Sequence, residues 1–465
     1  MTSRVLPINV IGQAYADDTT SWANQECINF YPVLAESEGA RSVSMLKGTP
    51  GLTEFGQIGT GTVRGATTAG GVLYVVADTT LYSVASDGTE TSLGTVEGSG
   101  RVGMAGNVIA GGFHVVVVNG TKGWVYNTAT STFAEITDAD FPEADDCVFI
   151  GNYIVSVDQD TDEYFWSDLA DATSYNALSV ASAETDTDGL LGLLTLQRDL
   201  WLFGETSIEV HALTGSAEVF ELRAVIEKGL AATFAKAKLD NTVYWLGNNG
   251  IVYRANGYSA ERVSTGPIEQ AIASETLSEA FAFAYEEAGH AFFVLSFPNG
   301  KTWVYDVATR MWHRRKSFEM DRWRANCYVF AYGKHLVGDT NNGKMWELDE
   351  DAFAEGSDAL IAERKTQHDH DDGNPFSVDE IEFFWKGGVG LATGQGSDPL
   401  FDLAYSRDGG RTFSNFRQGS LGKVGQYERR ARMFRFGQFK GSVQLWLRVS
   451  DPVNRDLVGA SARGN

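Results

Sequence analysis

The sequence has few of the residues that mark disulfide-rich and DNA-binding proteins. Its 3 cysteines, Cys27, Cys147 and Cys327, lie far apart and fit neither a disulfide framework nor a CxxC metal site. We therefore predict reduced, buried thiols. Lysine and arginine total 37 against 61 acidic residues, and the formal net charge of -24 argues against nonspecific binding to the phosphate backbone of DNA.

Long apolar runs are also missing. No run approaches the roughly 18 residues of a membrane span. The opening residues MTSRVLPINVIGQAY contain no continuous apolar segment of signal-peptide length. We therefore expect a protein without a membrane span that is made and folded in a cytoplasm. Hydrophobic residues form 43% of the chain and charged residues 21%, close to a globular average, which excludes wholesale disorder.

Charge is distributed unevenly along the chain. Residues 375–465 contain 13 basic and 9 acidic residues (net +4), which leaves 24 basic and 52 acidic residues (net -28) in residues 1–374. The C-terminal part therefore has a different kind of surface. It fits either a small module with an ordinary mixed surface or a module that contacts a partner.

The most informative pattern is an internal repeat. Seven apolar runs recur at spacings of 40 to 49 residues, and most are followed by a turn and a second short run with an aromatic residue. Two units are closely similar, since GWVYNTATSTF ends at Phe133 and TWVYDVATRMW ends at Trp312. The runs begin near Leu73, Phe113, Tyr153, Leu200, Val243, Phe292 and His335.

Turn dipeptides that favour β-hairpins separate several of the paired runs. They are Asn119-Gly120, Asn249-Gly250, Asn299-Gly300 and Asn342-Gly343. One more short strand precedes each hairpin and another follows it, and a repeating unit of about four strands is typical of a β-propeller blade. We predict an all-β fold with a propeller of about seven four-stranded blades. Six or eight blades, or a long sandwich or solenoid, remain alternatives.

The repeat array divides the chain into four parts. We predict an extended N-terminal arm at residues 1–50, the propeller at 51–355, an acidic linker at 356–374 and a smaller C-terminal β module at 375–465. The segment 42–64 is a candidate for a strand that closes the ring with the last blade. The capping residues Ser264-Thr265-Gly266-Pro267 predict a short helix inserted between blades five and six.

Four runs of residues carry a family resemblance. They are GTPGLTEF at 48–55, GSGRVGMA at 98–105, DGLLGL followed by RDLWLFGETSIEVHALTG at 188–215, and EKGLAATFAK at 227–236. In sequence, order and spacing these runs resemble the tail-hub, or packaged-DNA stabilisation, proteins of short-tailed bacteriophages. The resemblance extends from about Asn29 to the C-terminal module, and its most specific part is the block 188–236.

The resemblance implies a structural virion protein of the phage tail. Such a protein forms a homohexameric ring below the portal and adaptor proteins, extends the DNA channel, supports tailspikes or fibres, and retains the packaged genome together with a tail needle or plug. DNA would pass without specific binding, and an acidic channel wall would repel its phosphates. The alternative is that the acidic residues lie on the outside and keep the protein soluble.

An arginine cluster in the C-terminal module, Arg429, Arg430, Arg432 and Arg435, is the candidate interface with an acidic neighbour in the tail. Because side chains alternate along a strand, this run would place charge on both faces. Such a strand is also typical of an exposed edge that is protected against aggregation. The run MWHRRKSFEMDRWR at 311–324 interleaves basic and aromatic residues as nucleic-acid binders do, but because it follows the last strand of a blade we favour a solvated loop with aromatic core anchors.

Signs of enzymatic or metal chemistry are weak. SRDGGRTF at 406–413 fits the Asp-box pattern of sialidases, but that motif is structural and occurs once, outside the repeats. A glycosidase or glycan-binding protein is the alternative function, and a cellular propeller scaffold is a third. HDHDDG at 368–373 could hold a metal or be a solvated linker, and ETDTDG at 184–189 lacks the final glutamate of a calcium loop. We expect no catalytic, cofactor or metal residues and no enzymatic activity.

Overall fold

The computed structural model describes residues 4–15, 23–36, 42–158, 161–183, 185, 188–216, 218–370 and 374–464. Over these residues the chain is almost wholly β-structure, as predicted, with one short α-helix and one turn of 3₁₀-helix at Leu277–Glu279. Five strands come before the first complete blade. They are β1 (Arg4–Ile8), β2 (Glu26–Ile28), β3 (Phe30–Leu34), β4 (Ser44–Gly48) and β5 (Gly51–Gln57).

Six four-stranded antiparallel units follow, and each is formed by strands that are consecutive in the chain. Blade one comprises β6 (Val63–Ala69), β7 (Val72–Ala77), β8 (Thr80–Val84) and β9 (Glu90–Thr95); blade two, β10 (Gly103–Ile109), β11 (Gly112–Val118), β12 (Gly123–Asn127) and β13 (Thr132–Glu135); blade three, β14 (Cys147–Ile150), β15 (Tyr153–Val157), β16 (Glu163–Asp168) and β17 (Asp171–Ser182). Blade four comprises β18 (Leu190–Leu196), β19 (Asp199–Gly204), β20 (Ile208–Leu213) and β21 (Phe220–Ile226); blade five, β22 (Lys236–Leu239), β23 (Thr242–Leu246), β24 (Val252–Asn256) and β25 (Ser259–Arg262); blade six, β26 (Phe281–Glu287), β27 (His290–Ser296), β28 (Thr302–Asp306) and β29 (Met311–Arg315).

The seventh blade closes the ring. It contains β30 (Ala325–Ala331), β31 (Lys334–Asp339) and β32 (Lys344–Asp349), and its fourth strand is β5. The antiparallel pairing of Leu348 in β32 with Leu52 in β5 joins the end of the repeat array to its beginning. The first strands of successive blades contact one another around the whole ring, so they line its axis. The structure thus confirms a propeller of seven blades and the predicted closing strand from residues 42–64.

The second strand of each blade explains the apolar runs of the sequence. In β7, β11 and β27 the last five residues are all buried, because these strands have neighbours at both edges and a neighbouring blade against each face. Strands covered on both faces are continuously apolar rather than alternating. The spacing of these runs was therefore a reliable guide to the blade count.

One helix interrupts the propeller, as predicted. α1 (Gly266–Ala273) lies between β25 and β26, with Pro267 near its first turn and Ile268 and Ile272 buried. An ion pair between Arg262 and Glu269 joins the last strand of blade five to the helix. Because its buried side chains belong to the main core, the helix is a fixed part of this side of the propeller.

The C-terminal strands form a sandwich of two sheets. They are β33 (Ala354–Glu355), β34 (Asp358–Ala359), β35 (Ala362–Lys365), β36 (Asp369–His370), β37 (Phe376–Trp385), β38 (Leu400–Ser406), β39 (Arg417–Ser420), β40 (Ala431–Phe439), β41 (Ser442–Val449) and β42 (Leu457–Gly464). The first sheet has the order β3-β4-β42-β37-β40, with β1 also on β42. The second has the order β2-β35-β41-β38-β39. The short pair β33 and β34 extends blade seven through β5 instead.

The second sheet of the sandwich is continuous with blade six. Ile28 in β2 pairs in parallel with Arg314 of β29 and in antiparallel fashion with Glu363 of β35. This differs from the expectation of a separate arm at 1–50 and a linker at 356–374. Strands from both segments enter the sandwich sheets, because a short strand bordered by two unsatisfied sheet edges gains backbone hydrogen bonds on both sides. Propeller and sandwich therefore share one hydrogen-bonded framework and one main core.

Candidate functional site

The first candidate is the propeller axis, where charged side chains converge at one end. Arg101 lies just before β10 of blade two and reaches blade seven, where its guanidinium donates to Asn326 O at 2.6 Å and to Asn326 Oδ1 at 2.7 Å. Its Cζ also lies 3.3 Å from the ring centre of Phe281, the first residue of blade six. Blades two and six are nearly opposite in a ring of seven. Arg101 therefore spans the axis.

A second bridge ties blades three, four and five together at the same end. The ammonium of Lys236, the first residue of β22, contacts Asp146 Oδ2 at 2.8 Å, and both side chains are buried. The same carboxylate oxygen accepts the backbone N–H of Leu193 in blade four at 3.0 Å. A Cβ on Gly192 would lie 2.6 Å from the Lys236 ammonium, so glycine leaves the space that the lysine fills. Charge pairing thus replaces apolar packing at this point of the ring.

Two more arginines complete the closed end. Arg64 of blade one is buried, and its guanidinium donates to four backbone carbonyls, those of Asp78, Val96, Glu97 and Gly100. Arg322 lies before β30 of blade seven and contacts Thr340 and Asn326. Side chains therefore close the axis of a single propeller, and a DNA duplex cannot pass along it. The axis of a single propeller is therefore not the acidic channel expected from the family resemblance.

A cavity lies at the opposite end of the inner strands. The cavity of about 690 Å³ is lined by the ends of the inner strands of blades four to seven, including Lys238, Asp240, Glu286, Phe330 and His335. Phe330 is half exposed there. The inner strands thus end in a cavity with polar and charged lining residues on one side of the propeller, and side chains close the axis on the other side.

The second candidate is the predicted arginine cluster in the sandwich. Arg430 forms a two-pronged ion pair with Glu382, and Arg432 contacts both Glu380 at 3.1 Å and Glu382 at 3.5 Å. Arg429 and Arg435 are exposed and have no ion pair with any residue that the structure describes. The structure therefore brings the four arginines to one region but leaves only two of them available for a partner.

The prediction that this run places charge on both faces of a strand is wrong. β40 begins at Ala431, so Arg429 and Arg430 precede it, and Ala431 and Met433 face the core. A bulge opposite β37 displaces Arg435, whose φ of 66° lies in the left-handed region. Charge therefore occupies the outer face only, because the inner face packs against the second sheet.

The strand β40 is an edge strand, as expected, and its edge is occupied by side chains. Arg407 donates to Phe436 O, and Arg417 donates to Phe434 O at 2.5 Å. Both arginines come from the second sheet. They satisfy carbonyls that would otherwise be open to pairing with another chain, which protects the edge against aggregation.

Most arginines of the run at 311–324 are buried, so it is not the nucleic-acid surface that the sequence suggested. Residues 318, 319 and 321 are exposed in a short loop between buried aromatic residues, as the alternative interpretation expected. Trp312 and Trp323 are buried, which agrees with the aromatic anchors. Arg315 is fully buried, stacks on Trp323 and donates to Pro50 O at 2.8 Å. Arg324 pairs with Glu355 at 3.2 Å. These arginines fix the junction between blades six and seven and the sandwich.

The Asp-box turn is structural. Ser406 Oγ donates to Asp408 Oδ1 at 2.7 Å, and the same oxygen accepts the N–H of Thr412 at 2.9 Å. Hydrogen bonds from Thr412 hold the pKa of the Asp408 carboxyl well below its usual range. A carboxylate committed to its own turn is not placed to act as a general acid.

The remaining sequence candidates show no functional cluster. Within the described ranges, no group of three or more His, Cys, Asp or Glu residues is placed to hold a metal ion; residues 371–373 of the HDHDDG run and 184, 186 and 187 of the ETDTDG run lie outside those ranges. Asp188 instead accepts the backbone N–H of Ser207 at 3.0 Å. Cys27 and Cys147 are buried, and Cys327 is largely but not fully buried, which corrects the prediction for this residue only in degree. In the part of the chain that is described, no helix is long and apolar enough to cross a membrane.

The runs that carry the family resemblance lie at two places in the fold. One is the closed end of the propeller axis, and the other is the connection from the sandwich to blade seven. GSGRVGMA supplies Arg101, DGLLGL supplies Gly192, and EKGLAATFAK supplies Lys236, all at the closed end of the axis. GTPGLTEF contains the switch from β4 in the sandwich to β5 in blade seven. Sequence reasoning missed the axial cluster, although its members share one signal: each stands at or just before an inner strand.

Comparisons with known proteins agree with this architecture. Residues 4–353 match the family described as "Bacteriophage P22 Gp10, beta-propeller", and residues 362–465 match "Bacteriophage P22 Gp10, beta-sandwich". The tail hub protein gp10 of Salmonella phage P22 is 26% identical over 313 residues, which is 62% of this chain and 64% of that protein. The match thus spans somewhat less than two thirds of that relative.

Solved structures give weaker similarities. The computationally designed Ika8 protein has 16% identity and a TM-score of 0.41, covering 70% of this chain and 100% of that one. PorZ, a type-IX secretion component of Porphyromonas gingivalis, has 10% identity and a TM-score of 0.38, covering 64% of this chain and 38% of that one. Similarities of this size carry no functional conclusion.

The family matches cover both parts of the chain and agree with a seven-bladed ring joined to a sandwich. They support a structural tail-hub role and give no support to the glycosidase alternative. The chain belongs to the family of bacteriophage P22 Gp10 proteins, whose propeller and sandwich models it matches in turn.

Proposed function

We propose that the chain is a structural protein of a phage tail hub and assembles through its outer surfaces into a ring of about six copies below the portal and adaptor. The observation that carries this proposal is the continuous sheet from blade six into the sandwich. A propeller that shares a sheet with the sandwich is a rigid unit, which suits a subunit that forms the wall of a ring. Its own axis is closed by Arg101, so the DNA path lies between copies.

In this proposal the ring extends the DNA channel, helps retain packaged DNA and supports tailspikes or fibres, with a needle or plug at its exit. Residues 1–374 have a net charge of -28, so acidic surface on the channel side would keep phosphates from adhering. DNA would slide during ejection without specific binding. The protein would be made in the host cytoplasm and act in the tail of the virion.

The sandwich offers the surface that suits an acidic neighbour such as the adaptor. Beside Arg429 lie Tyr427, which is 75% exposed, and Val424, which is 59% exposed. Exposed aromatic and arginine side chains are enriched at the centres of protein interfaces. We propose that Arg429 and Arg435 contact the partner, while Arg430 and Arg432 remain bound to Glu380 and Glu382.

The test is to mix the protein with the portal and adaptor complex of the same phage and to examine native mass and electron-microscope class averages. A sixfold ring added below the adaptor is the expected result. Absence of any association with an intact adaptor would contradict the hub proposal. A polysaccharide binding and cleavage assay would then decide whether the glycan alternative has to be reconsidered.

The docking surface has its own test with matched variants. Arg429→Glu and Arg435→Glu should each weaken binding to the adaptor complex by about tenfold, because a like charge then faces the acidic partner. Arg411→Glu, on the exposed Asp-box turn of the same module, is the control and should bind as the wild type does. Equal binding by all three variants would exclude this surface.

A further inference from the structure

Two neighbouring arginines at the closed end of the propeller axis have no carboxylate partner. Arg101 and Arg322 both reach Asn326 Oδ1, at 2.7 Å and 3.4 Å. Both also lie over the ring of Phe281, at 3.3 Å and 5.5 Å from its centre. Within the described part of the chain, neither forms an ion pair with an acidic side chain within 4.0 Å. Two positive charges therefore share one small site.

The acidic groups nearest to this site are engaged elsewhere. Asp339 accepts the Trp346 indole N–H at 2.9 Å and lies 3.8 Å from Arg324. Asp146 pairs with Lys236. Burial raises the pKa of the Cys327 thiol to about 11, so this neighbour is uncharged at neutral pH. Burial lowers the pKa of Arg322, and the nearby charge of Asp339 only partly offsets this. No described carboxylate contacts either guanidinium within 4.0 Å.

Arg322 also has an unused donor. It is 5% exposed, and its Nη1 has no hydrogen-bond acceptor among the described residues, although Nη2 contacts Thr340 and Asn326. A buried charged donor without an acceptor is costly. Arg101, in contrast, is partly exposed and connects the site to solvent.

We propose that Arg101 and Arg322 bind a small oxyanion of the size of phosphate or sulfate at the closed end of the axis. Guanidinium groups present paired N–H donors that match the oxygens of such anions. The anion accepts from Nη1 of Arg322 and offsets the charge of both arginines. Loss of hydration and the nearby Arg322 charge lower the pKa of Arg101 to about 9, which is consistent with a site that lacks its counter-ion.

Such an anion would strengthen the ring where the chain closes it. Arg101 belongs to blade two and Arg322 to blade seven, whose fourth strand is the closing strand β5. Asn326 extends the link to blade one by donating to Val63 O at 2.8 Å. The oxyanion would therefore act as a clamp across blades seven, one and two.

The experiment is a phosphate titration of the full chain at constant ionic strength. Binding is measured by isothermal titration calorimetry, and stability is measured as the midpoint of thermal unfolding. We expect saturable binding of one phosphate per chain and a midpoint that rises with occupancy. Arg322→Met should weaken phosphate binding by about tenfold or more, since it removes charged hydrogen bonds. Sulfate should compete with phosphate.

Arg223→Met is the matched control, because Arg223 is exposed and pairs with Asp199. It lies in β21, the outermost strand of blade four and thus away from the axis. It should bind phosphate as the wild type does. If Arg322→Met does not fold, Arg101→Met replaces it, and the wild-type calorimetry stands by itself. Absence of saturable binding to the wild type, or equal binding by the axial and control variants, would overturn the proposal.

Discussion

At the scale of the residue, close backbone approach fixes the identity of some glycines in the family runs. A Cβ on Gly229, in EKGLAATFAK, would overlap the carbonyl oxygen of Glu205. Gly229→Ala should therefore lower the free energy of unfolding by about 2–4 kcal/mol, measured by chemical denaturation. Gly441→Ala is the control, since no atom lies within 4 Å of its Cβ position. Equal stability of the two variants would contradict the steric argument.

The pH dependence of stability should contain a contribution from a single carboxyl. Burial raises the pKa of Glu287 to about 7, partly offset by Arg315 and reinforced by Glu350. Between the unfolded value of 4.5 and pH 7, the folded state binds more protons, so stability should fall as pH rises through this window.

Glu287→Gln should accordingly remove this slope and be more stable than the wild type at pH 8, by about 1–3 kcal/mol. The measurement is the urea midpoint between pH 5 and pH 8. Glu286→Gln, on the exposed neighbour, should retain the wild-type slope. If the stability of Glu287→Gln still fell as the pH rose, groups other than Glu287 would cause the pH dependence.

At the scale of the element, one arginine of β35 holds the N-terminal arm. Arg364 is fully buried and donates to Val10 O at 2.8 Å, Gln25 Oε1 at 2.7 Å and the carbonyls of Gln13 and Glu26 at 3.1 Å each. Arg364→Met should lower stability by about 3 kcal/mol or more, because these groups lose a buried partner. It should also speed proteolysis of the arm.

Arg448→Met is a suitable comparison for that variant. Arg448 lies on the neighbouring strand β41 and forms a partly exposed ion pair with Asp402 at 2.8 Å. Its loss should change stability by about 1 kcal/mol or less and leave the arm protected. Limited proteolysis followed by mass spectrometry identifies the first cut. Protection of the arm in Arg364→Met would show that strand pairing alone holds it.

Elements differ in how well the sequence predicted them. Blades were predictable because each repeats an apolar second strand and a hairpin, and because GWVYNTATSTF and TWVYDVATRMW are closely similar. The connection of the arm, blade six and the sandwich through shared sheets could not be predicted from the sequence. It joins residues as distant as Asn29 and Lys316, which are 287 positions apart. Such long-range pairing leaves no local periodic pattern.

The candidate sites were harder to predict for a related reason. Arg429, Arg430, Arg432 and Arg435 form a visible run, but the pairing of two of them with Glu380 and Glu382 depends on strand register. The axial cluster is made of single basic residues from separate blades. Only the closed ring brings Arg101 to Asn326.

At the scale of the whole molecule, the shared framework should make unfolding cooperative. Blade six and the second sandwich sheet are hydrogen-bonded through β2, and side chains of both domains belong to one core. Differential scanning calorimetry should therefore show one transition for propeller and sandwich. Two well-separated transitions would mean that the junction adds little to either domain.

The pairing of β1 with β42 has a consequence for biosynthesis. β1 pairs with β42, so this strand finds its partner only after residues 457–464 have left the ribosome. At about 5–20 residues per second, a chain of 465 residues takes between about 20 and about 90 s to translate. During that time β1 has no partner strand, and chaperones have the opportunity to hold it.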